Sequence, residues 1–543
     1  GDVYKRQPPR RWHAHPQPGG DPEPGGDSMT APNEKGQTEN KNLTQDTTFP
    51  WTQDRTEIRE ETLSSIVDEI AEEISLAIGE NDKPSPSSLS EIVINSLLKR
   101  VPTKTIIGVK GEAVGIYIYD KGVYREGEEL IKALFHKILK KIRLIPRIRS
   151  YTPYENDFIV QLKRETASVS SSDPHLVVYN DLLFDWRKFI YEGEGFLMMP
   201  SPEYFVLNRV PWSLDREVLI RNINKSYEEI KENAHKELMI TRTFEQWAGD
   251  KWPVLFEISG YCLLSGENPL KKAIMLVDAE GRDGDTGKTA YCSFLEKLIG
   301  EENVSKVPLQ DLTDDSKRFM RWYLYGKMAN IYPDLPEKAI RETGHFKALT
   351  GEDKISADRK HRDAIEFRNY AKLIFGTNKL PKVGIEGAGS DAFFRRWILV
   401  PFVGEFHPIP RYVETVIEEI LRKEAGKILS YSLLAVKNVV EEEKFSFQEG
   451  AESYRERWLR ETDSIYDFLR TGEEEGFLEF GSDKRVESKT LYNAYVKFCD
   501  REEATVVGKK TFTIRLEELG YLQRNIGGER YYMGLSLKGD ITV

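Results

Sequence analysis

Apolar residues recur at two different spacings along this chain of 543 residues. Spacings of three and four residues run from Leu63 to Ile78 and again from Leu130 to Ile142, which predicts two amphipathic helices. The alternation in the segment GIYIYDKGVYR predicts a β-hairpin. Buried strands are predicted where short continuous apolar runs occur, beginning at Ala273, Met328, Leu373 and Trp397.

The exposed face of the second predicted helix is basic. It carries Lys137, Lys140, Lys141 and Arg143. A face of this kind contacts nucleic acid in some proteins and is simply solvated in many others, so both interpretations stay open at this point.

The order of the patterns divides the chain into five segments. Residues 1–55 are rich in Pro, Gly, Asn, Thr and Gln and predict a disordered tail, in which residues 1–28, before Met29, look non-native or upstream-translated. Residues 56–250 mix helices and strands, and residues 251–410 contain the buried strands. A long amphipathic helix and a polar linker occupy residues 411–460. Residues 461–543 show helix, strand, helix, helix and a terminal hairpin, the order of a winged helix.

The apolar run at Ala273 breaks into a glycine-rich loop and then a helical pattern, which predicts a phosphate-binding loop. Glycines let backbone N–H groups close on phosphate oxygens, a lysine adds positive charge, and a hydroxyl ligates Mg²⁺. The helix directs its positive N-terminus at the anion. The predicted nucleotide-binding residues are Gly284, Asp285, Thr286, Gly287, Lys288 and Thr289. An ordinary strand-to-helix turn with a chance Gly-Lys-Thr is the alternative.

Polar residues follow the next buried strands in the order that ATP hydrolysis requires. Asp334 ends the strand from Met328 and is a candidate ligand of Mg²⁺ or its water, with Glu337 close behind; the catalytic base is one of these two. Asn378 ends the strand from Leu373 and is suited to sensing the γ-phosphate or orienting water.

Two arginines, Arg395 and Arg396, stand directly before the last buried strand. Arginine stabilises the charge that spreads over transferring phosphate oxygens, and an arginine supplied by a neighbouring subunit couples hydrolysis to assembly. The alternative for each of these positions is a structural strand end or a surface arginine.

Composition limits the remaining function classes. The formal net charge of -11 and a pI near 5.6 give no global attraction to nucleic acid, so such contacts must come from local basic clusters. The isolated cysteines Cys262, Cys292 and Cys499 argue against a zinc site or a disulfide framework and favour a reducing compartment. Without a long apolar run or a signal segment, a cytoplasmic protein with no membrane contact is expected.

Taken together, these segments resemble the superfamily 3 helicases of the poxvirus and satellite-phage primase-helicase type, found in viruses, phages and plasmids. The resemblance runs from VVYNDLLFDWRK and SPEYFVLNRVPWSLD through FEISGYCLLSG and the phosphate loop to GHFKALTGEDKISADRKHRDAIEFRNYAKLIFGTNKLP and FFRRWILVPF. It implies an α/β fold: a P-loop ATPase core of the AAA+ type, an α+β helicase-associated N-terminal region and a C-terminal winged helix. Two departures are Pro333, where many members have a first acid, and Thr286, where asparagine is common.

The resemblance also implies nucleic-acid contacts and an assembly. The segment FKALTGEDKISADRKH would project into the pore of a homo-hexameric ring, where Arg359, Lys360 and His361 grip the backbone of single-stranded DNA. The third helix of the winged helix would present Lys509, Lys510 and Arg515 to double-stranded DNA, with Arg524 beside the wing, unless this domain docks protein instead. Between the disordered tail and the helicase-associated region there are too few residues for a priming domain, so any priming activity belongs to a separate primase or polymerase or is absent.

The sequence therefore predicts an ATP- and Mg²⁺-dependent DNA helicase of a virus, phage or plasmid-like element. The alternatives are an initiator that uses ATP only as an assembly switch, a small-molecule phosphotransferase, and a helicase that moves on RNA. From the sequence alone, Lys288→Ala is expected to abolish hydrolysis with little loss of stability, and Arg396→Ala to spare ATP binding but stop turnover.

Overall fold

The computed structural model describes residues 60–78, 83–108, 111–282, 284–336, 338–340, 342–359, 362–383, 390–406 and 413–538. The predicted tail, residues 1–55, lies outside these. The first described elements are four helices and a small sheet: α1 (Glu60–Ala77), α2 (Pro86–Leu98), β1 (Thr103–Ile107), β2 (Ala113–Asp120), β3 (Val123–Glu126), α3 (Glu128–Lys141), α4 (Thr152–Glu165) and β4 (Ala167–Val169). The sheet order is β3-β2-β1-β4, and the apolar faces of the four helices share one core with β2.

Helix α3 ends in a Schellman turn. The N–H of Leu144 donates to the carbonyl of Leu139 at 3.0 Å, and the N–H of Arg143 donates to that of Lys140 at 3.1 Å. This turn needs one residue in the left-handed conformation, a place that glycine usually takes. Arg143 takes it here, with φ of 56°.

A second small sheet follows, with strand order β7-β6-β5-β8. Its strands are β5 (Leu176–Tyr179), β6 (Leu182–Asp185), β7 (Leu197–Met198) and β8 (Arg209–Val210). Four helices then lead to the centre of the molecule: α5 (Arg216–Asn222), α6 (Tyr227–Glu237), α7 (Ile240–Ala248) and α8 (Pro253–Cys262). Helix α6 begins with a capping box between Ser226 and Glu229, which satisfies two backbone N–H groups of its first turn.

The centre is a five-stranded, all-parallel sheet in the order β10-β11-β14-β9-β15. Its strands are β9 (Ala273–Asp278), β10 (Val304–Ser305), β11 (Ala329–Tyr332), β14 (Lys372–Gly376) and β15 (Trp397–Phe402). Connecting helices are α9 (Lys288–Ile299), α10 (Leu309–Thr313), α11 (Thr343–Thr350) and α12 (Asp391–Phe394), and α13 (Val413–Glu441) follows. All six residues of β9 are buried, because alternate side chains enter the cores on the two faces of the sheet.

A two-stranded antiparallel hairpin interrupts the parallel order. It consists of β12 (Lys354–Arg359) and β13 (Arg362–Arg368), with Arg359 opposite Arg362. Ile355, Ile365 and Phe367 are buried in the core below the sheet, which anchors one face of the hairpin.

The C-terminal part is a separate small core. After α14 (Ala451–Thr462), it contains α15 (Ser464–Glu474), β16 (Leu478–Glu487), α16 (Ser488–Arg501), α17 (Lys509–Glu518), β17 (Gln523–Ile526) and β18 (Glu529–Leu537). The strands form an antiparallel sheet in the order β16-β18-β17, and the apolar faces of α15, α16 and α17 pack against it.

The start of the polar segment 445–453, for which a linker is predicted, packs against the body. Phe445 is buried, and the N–H of Ser446 donates to the carboxylate of Glu257 in α8 at 2.9 Å. Tyr227 donates to the same carboxylate at 2.6 Å, and burial raises the pKa of Glu257. The composition of this segment could not predict these contacts, because Ser446 and Glu257 are far apart in the sequence.

The predicted helices, hairpin and buried strands are all present, as α1, α3, β2 with β3, and β9, β11, β14 and β15. The three cysteines are free and buried. Among the described residues, no helix combines the length and hydropathy that crossing a bilayer requires.

Candidate functional site

The glycine-rich loop lies at the carboxyl edge of the parallel sheet. It follows β9 at Asp278 and ends at Gly287, directly before α9. The N–H groups of the first turn of α9 therefore point toward this edge, which suits an anion. Gly287 has φ of 102°, and a Cβ at this position would overlap the ring of Trp247, so glycine is required for two reasons.

The carboxylate of Asp278 contacts the side chains and backbone of the glycine-rich loop. Asp278, buried to 8% exposure, forms an ion pair with Lys288, which is buried to 6%. The same carboxylate accepts a hydrogen bond from the Thr286 hydroxyl at 2.6 Å and one from the Gly284 N–H at 3.0 Å. These are the groups predicted to bind phosphate. In this structure they are closed around Asp278.

Sequence reasoning missed Asp278. The signal was present, since an acid ends the apolar run just before the glycines. A phosphate that binds Lys288 must compete with the buried carboxylate of Asp278, whose hydrogen bonds are satisfied. Binding at this loop therefore requires Asp278 to give up at least one of its present contacts.

The segment after β15 covers the outside of the loop. Arg282 forms an ion pair with Glu405, and the N–H of Phe406 donates to the carbonyl of Asp285 at 3.1 Å. Asp285 has a left-handed backbone, with φ of 48°. These contacts fix the loop from the solvent side, while Trp247 packs on it from the protein side.

The predicted polar residues of the neighbouring strands lie at the same edge. Asn378 follows β14 and is close to the loop, since a Cβ on Gly284 would be 3.8 Å from its Nδ2. Asp334 follows β11 and is exposed. The next residue, Leu335, donates its N–H to the carbonyl of Gly376 at 2.8 Å, which holds the Asp334 turn against the end of β14.

The oxygen donors at this edge fit Mg²⁺, a hard cation that prefers hydroxyl, carboxylate and water ligands. Thr289, exposed on the first turn of α9, and Asp334 are the candidate ligands. Glu337, the other candidate base, lies outside the described residues.

A second group of possible ligands lies on the surface. The ligand atoms of Asp315, Glu342 and His345 are all within 4.8 Å of one another. Asp315 and His345 are 2.7 Å apart, and Arg321 lies 3.5 Å from the same carboxylate oxygen. Because a guanidinium already neutralises this carboxylate, we interpret the group as a charge network.

Arg395 and Arg396 lie at the opposite end of the parallel strands, next to the amino-terminal end of β15. Strand β15 runs parallel to β9, with Trp397 beside Ala273 and Phe402 beside Asp278. Five residue steps of about 3.3 Å each separate the start of β15 from its end, or roughly 16 Å. The two arginines therefore lie away from the glycine-rich loop of their own chain.

The surroundings of the two arginines differ. Arg395 is exposed, whereas Arg396 is partly buried and donates to the carbonyl of Ala392 at 2.9 Å. Burial, and then the charge of Arg395, lower the pKa of Arg396. Lys272 donates to the carbonyl of Arg395, and burial followed by both arginines lowers the pKa of Lys272. Three cations thus crowd together at this edge.

Of the predicted pore residues, Arg359 ends β12 of the β12–β13 hairpin. Lys360 and His361 lie outside the described residues. The hairpin itself, predicted as a loop or hairpin, is present.

In the C-terminal part, the predicted basic residues have two different environments. Lys509, Lys510 and Arg524 are exposed. Arg515 instead donates to Asp463 at 2.6 Å and to Glu518 at 3.0 Å. The guanidinium of Arg515 is held inside the domain because it pairs with Asp463, which is itself fixed as the N-cap of α15. Contact with DNA remains a prediction for all four residues, and Arg515 would have to leave these two carboxylates to make it.

Residues 279–396, from the glycine-rich loop to the arginine pair, match a family model described as a family of unknown function, DUF5906. Solved structures similar to this chain include the apo A form of the NrS-1 C-terminal region, at 14% identity and a TM-score of 0.40, covering 83% of this chain and 100% of that one. A second structure of that region, residues 305–718, gives 13% identity, the same coverages and a TM-score of 0.37. Another is JCV helicase with N-(4-(2-(thiazolo[5,4-c]pyridin-2-yl)phenoxy)phenyl)acetamide bound, at 14% identity and a TM-score of 0.19, covering 48% of this chain and 76% of that one. These likenesses are remote.

Proposed function

We propose that this chain is an ATP-dependent DNA helicase that works as a ring, with a P-loop core of the AAA+ type and a C-terminal winged helix. This proposal rests mainly on one observation: the phosphate loop follows the carboxyl end of β9, whereas the arginine pair precedes the amino end of the neighbouring strand β15. The strand order of the parallel sheet, β10-β11-β14-β9-β15, puts the loop strand between the two strands that carry Asn378 and the arginines. A site built this way is complete only when another copy supplies its arginine.

The chemistry assigned to each residue follows from its position. Loop N–H groups and Lys288 bind the phosphates after displacing Asp278. Asp334 or Glu337 accepts a proton from the attacking water, and Asn378 orients that water or senses the γ-phosphate. Mg²⁺, held by Thr289 and Asp334, would neutralise charge on the phosphate oxygens. The arginine of a neighbouring subunit stabilises the charge that develops during transfer.

The remaining parts of the proposal concern partners. Single-stranded DNA would pass through a homo-hexameric ring lined by the hairpin tips, and duplex DNA would contact Lys509, Lys510 and Arg524. The protein would act in the cytoplasm or a replication compartment of the host, with a separate primase or polymerase.

The test is the ATPase rate as a function of protein concentration, with and without single-stranded DNA. We expect the rate per chain to rise cooperatively with concentration and to rise further with DNA, because the shared site forms only on assembly. A rate per chain that is constant and indifferent to DNA contradicts the proposal and indicates a small-molecule phosphotransferase. ATP binding without turnover indicates an ATP-switched initiator.

Lys360→Ala is expected to abolish strand separation while leaving most ATP hydrolysis, because a cation at the hairpin tip transmits force to the DNA backbone but touches no phosphate of ATP. The measurement is unwinding of a forked duplex beside ATPase rate. Lys354→Ala, at the exposed base of the same hairpin, is the matched control. Wild-type unwinding by Lys360→Ala contradicts the pore assignment.

A further inference from the structure

The N-terminal helical part carries a basic surface. No Asp or Glu occurs from Leu130 to Tyr154, in a chain whose formal net charge is -11. We call the exposed cations of this stretch the α3 basic surface, formed by Lys137, Lys140, Lys141, Arg143 and Arg149. The local charge is thus opposite in sign to that of the whole protein.

Helical geometry gathers these cations on one side. The apolar residues of α3, Ile131, Leu134, Phe135, Ile138 and Leu139, are buried in the core. Lys137 and Lys141 are four residues apart, and Lys140 lies three residues after Lys137, so the three ammonium groups share the opposite face. Arg143 and Arg149 continue the surface beyond the helix end, where both are exposed.

Three basic residues between Leu130 and Tyr154 have partners within the protein, and four do not pair with a described carboxylate. Lys132 pairs with Glu128 and Glu129, and Arg147 donates to the carbonyls of Arg143 and Ile142 at the end of α3. Lys141 pairs with Asp68 at 3.0 Å. Within the part of the chain that the structure describes, no carboxylate forms a salt bridge with Lys137, Lys140, Arg143 or Arg149.

Arg143 is the cation just beyond the C-terminal end of α3. It occupies the left-handed position of the Schellman turn, with φ of 56°, although glycine suits that position best. Its side chain contributes no ion pair within the described residues that would offset the backbone strain.

We infer that the α3 basic surface binds the phosphate backbone of duplex nucleic acid, independently of ATP. A row of cations on a convex helix face neutralises phosphates without reading bases. Single strands usually require aromatic side chains for base stacking. From Leu130 to Tyr154 no Phe, Tyr or Trp is fully exposed, and the ring of His136 packs edge-on against Tyr151 at 5.1 Å. This favours a duplex partner and adds a contact that neither the hairpin nor the C-terminal part supplies.

The first test uses the full chain without nucleotide. Lys137, Lys140, Arg143 and Arg149 are changed together to alanine, and the affinity for a short duplex is measured over a range of salt concentrations. We expect binding at least about 10-fold weaker at low salt, and a salt dependence shallower by about 3.6, since each of the four lost phosphate contacts contributes about 0.9 to the slope. The control variant removes four exposed cations elsewhere: Lys236, Arg422, Lys423 and Lys444.

Equal losses in the two variants, or none in the first, overturn the inference. Vesicles of phosphatidylcholine with phosphatidylserine test the other polyanion. Loss of vesicle binding with unchanged duplex binding assigns the surface to a membrane and also overturns it. Because no nucleotide is present, these results do not depend on whether the chain hydrolyses ATP.

Arg143→Gly separates a structural role from a binding role. Glycine relieves the left-handed backbone, so we expect a melting temperature equal to or above that of the wild type together with weaker duplex binding. A structural arginine would give the reverse: lower stability and unchanged binding. Unchanged binding in this variant contradicts a contact by Arg143.

Discussion

Lys288→Ala is expected to lower ATP hydrolysis by at least about 100-fold, the loss seen when one preorganised charge-stabilising group is removed. The ammonium group is the only charge that the first turn of α9 contributes to the proposed phosphate site among its described residues. The measurement is the steady-state ATPase rate at saturating protein and single-stranded DNA. Retained hydrolysis would remove the phosphate-loop assignment.

The same substitution is also expected to destabilise the fold, which corrects the sequence-based expectation of little loss. Lys288 is buried against Asp278, and removing one partner of a buried ion pair costs roughly 3 kcal/mol. Lys288→Ala combined with Asp278→Asn removes the unpaired charge. We expect this double variant to regain most of the stability and none of the hydrolysis, measured by denaturant unfolding and ATPase rate.

Arg395→Ala is expected to leave ATP binding unchanged and to lower turnover by about 1,000-fold or more, the range for an arginine supplied by a partner. Arg395 is exposed at the edge opposite its own loop, whereas Arg396 is engaged by Ala392. We therefore expect the larger effect at Arg395 and a smaller one for Arg396→Ala. Binding is measured with a fluorescent ATP analogue and turnover at saturating protein.

Mixing the two inactive variants gives a stricter test. In a mixed ring, some interfaces join the intact loop of an Arg395→Ala chain to the intact arginine of a Lys288→Ala chain. We expect the mixture to recover part of the ATPase activity that neither variant has alone. If Arg395 acted within its own chain, mixing would restore nothing.

The sequence was sufficient for the elements with strong periodicity. The buried strands beginning at Ala273 and Trp397, and the helix that starts at Lys288, are local patterns, and each lies where the spacing indicates. The placement of Asn378 beside the loop also followed, because the carboxyl ends of parallel strands share one edge.

What the sequence missed depends on contacts between distant residues. Arg515 looks like an exposed helix cation until Asp463, far earlier in the chain, is brought to it. Ser446 looks like part of a linker until Glu257 accepts its hydrogen bonds. Which charges are exposed and which are paired is decided by tertiary packing, and a single sequence carries no signal for it.

The ion pair between Asp278 and Lys288 also bears on how a catalytic cycle ends. In the proposed cycle, the carboxylate would return to the ammonium group once hydrolysis has weakened the hold on the products, and it would displace the anion that remains there. Free inorganic phosphate would then bind only to the fraction of chains in which Asp278 has moved. Asp278 would thus speed product departure, and a ring of such sites would lose less time to spent nucleotide.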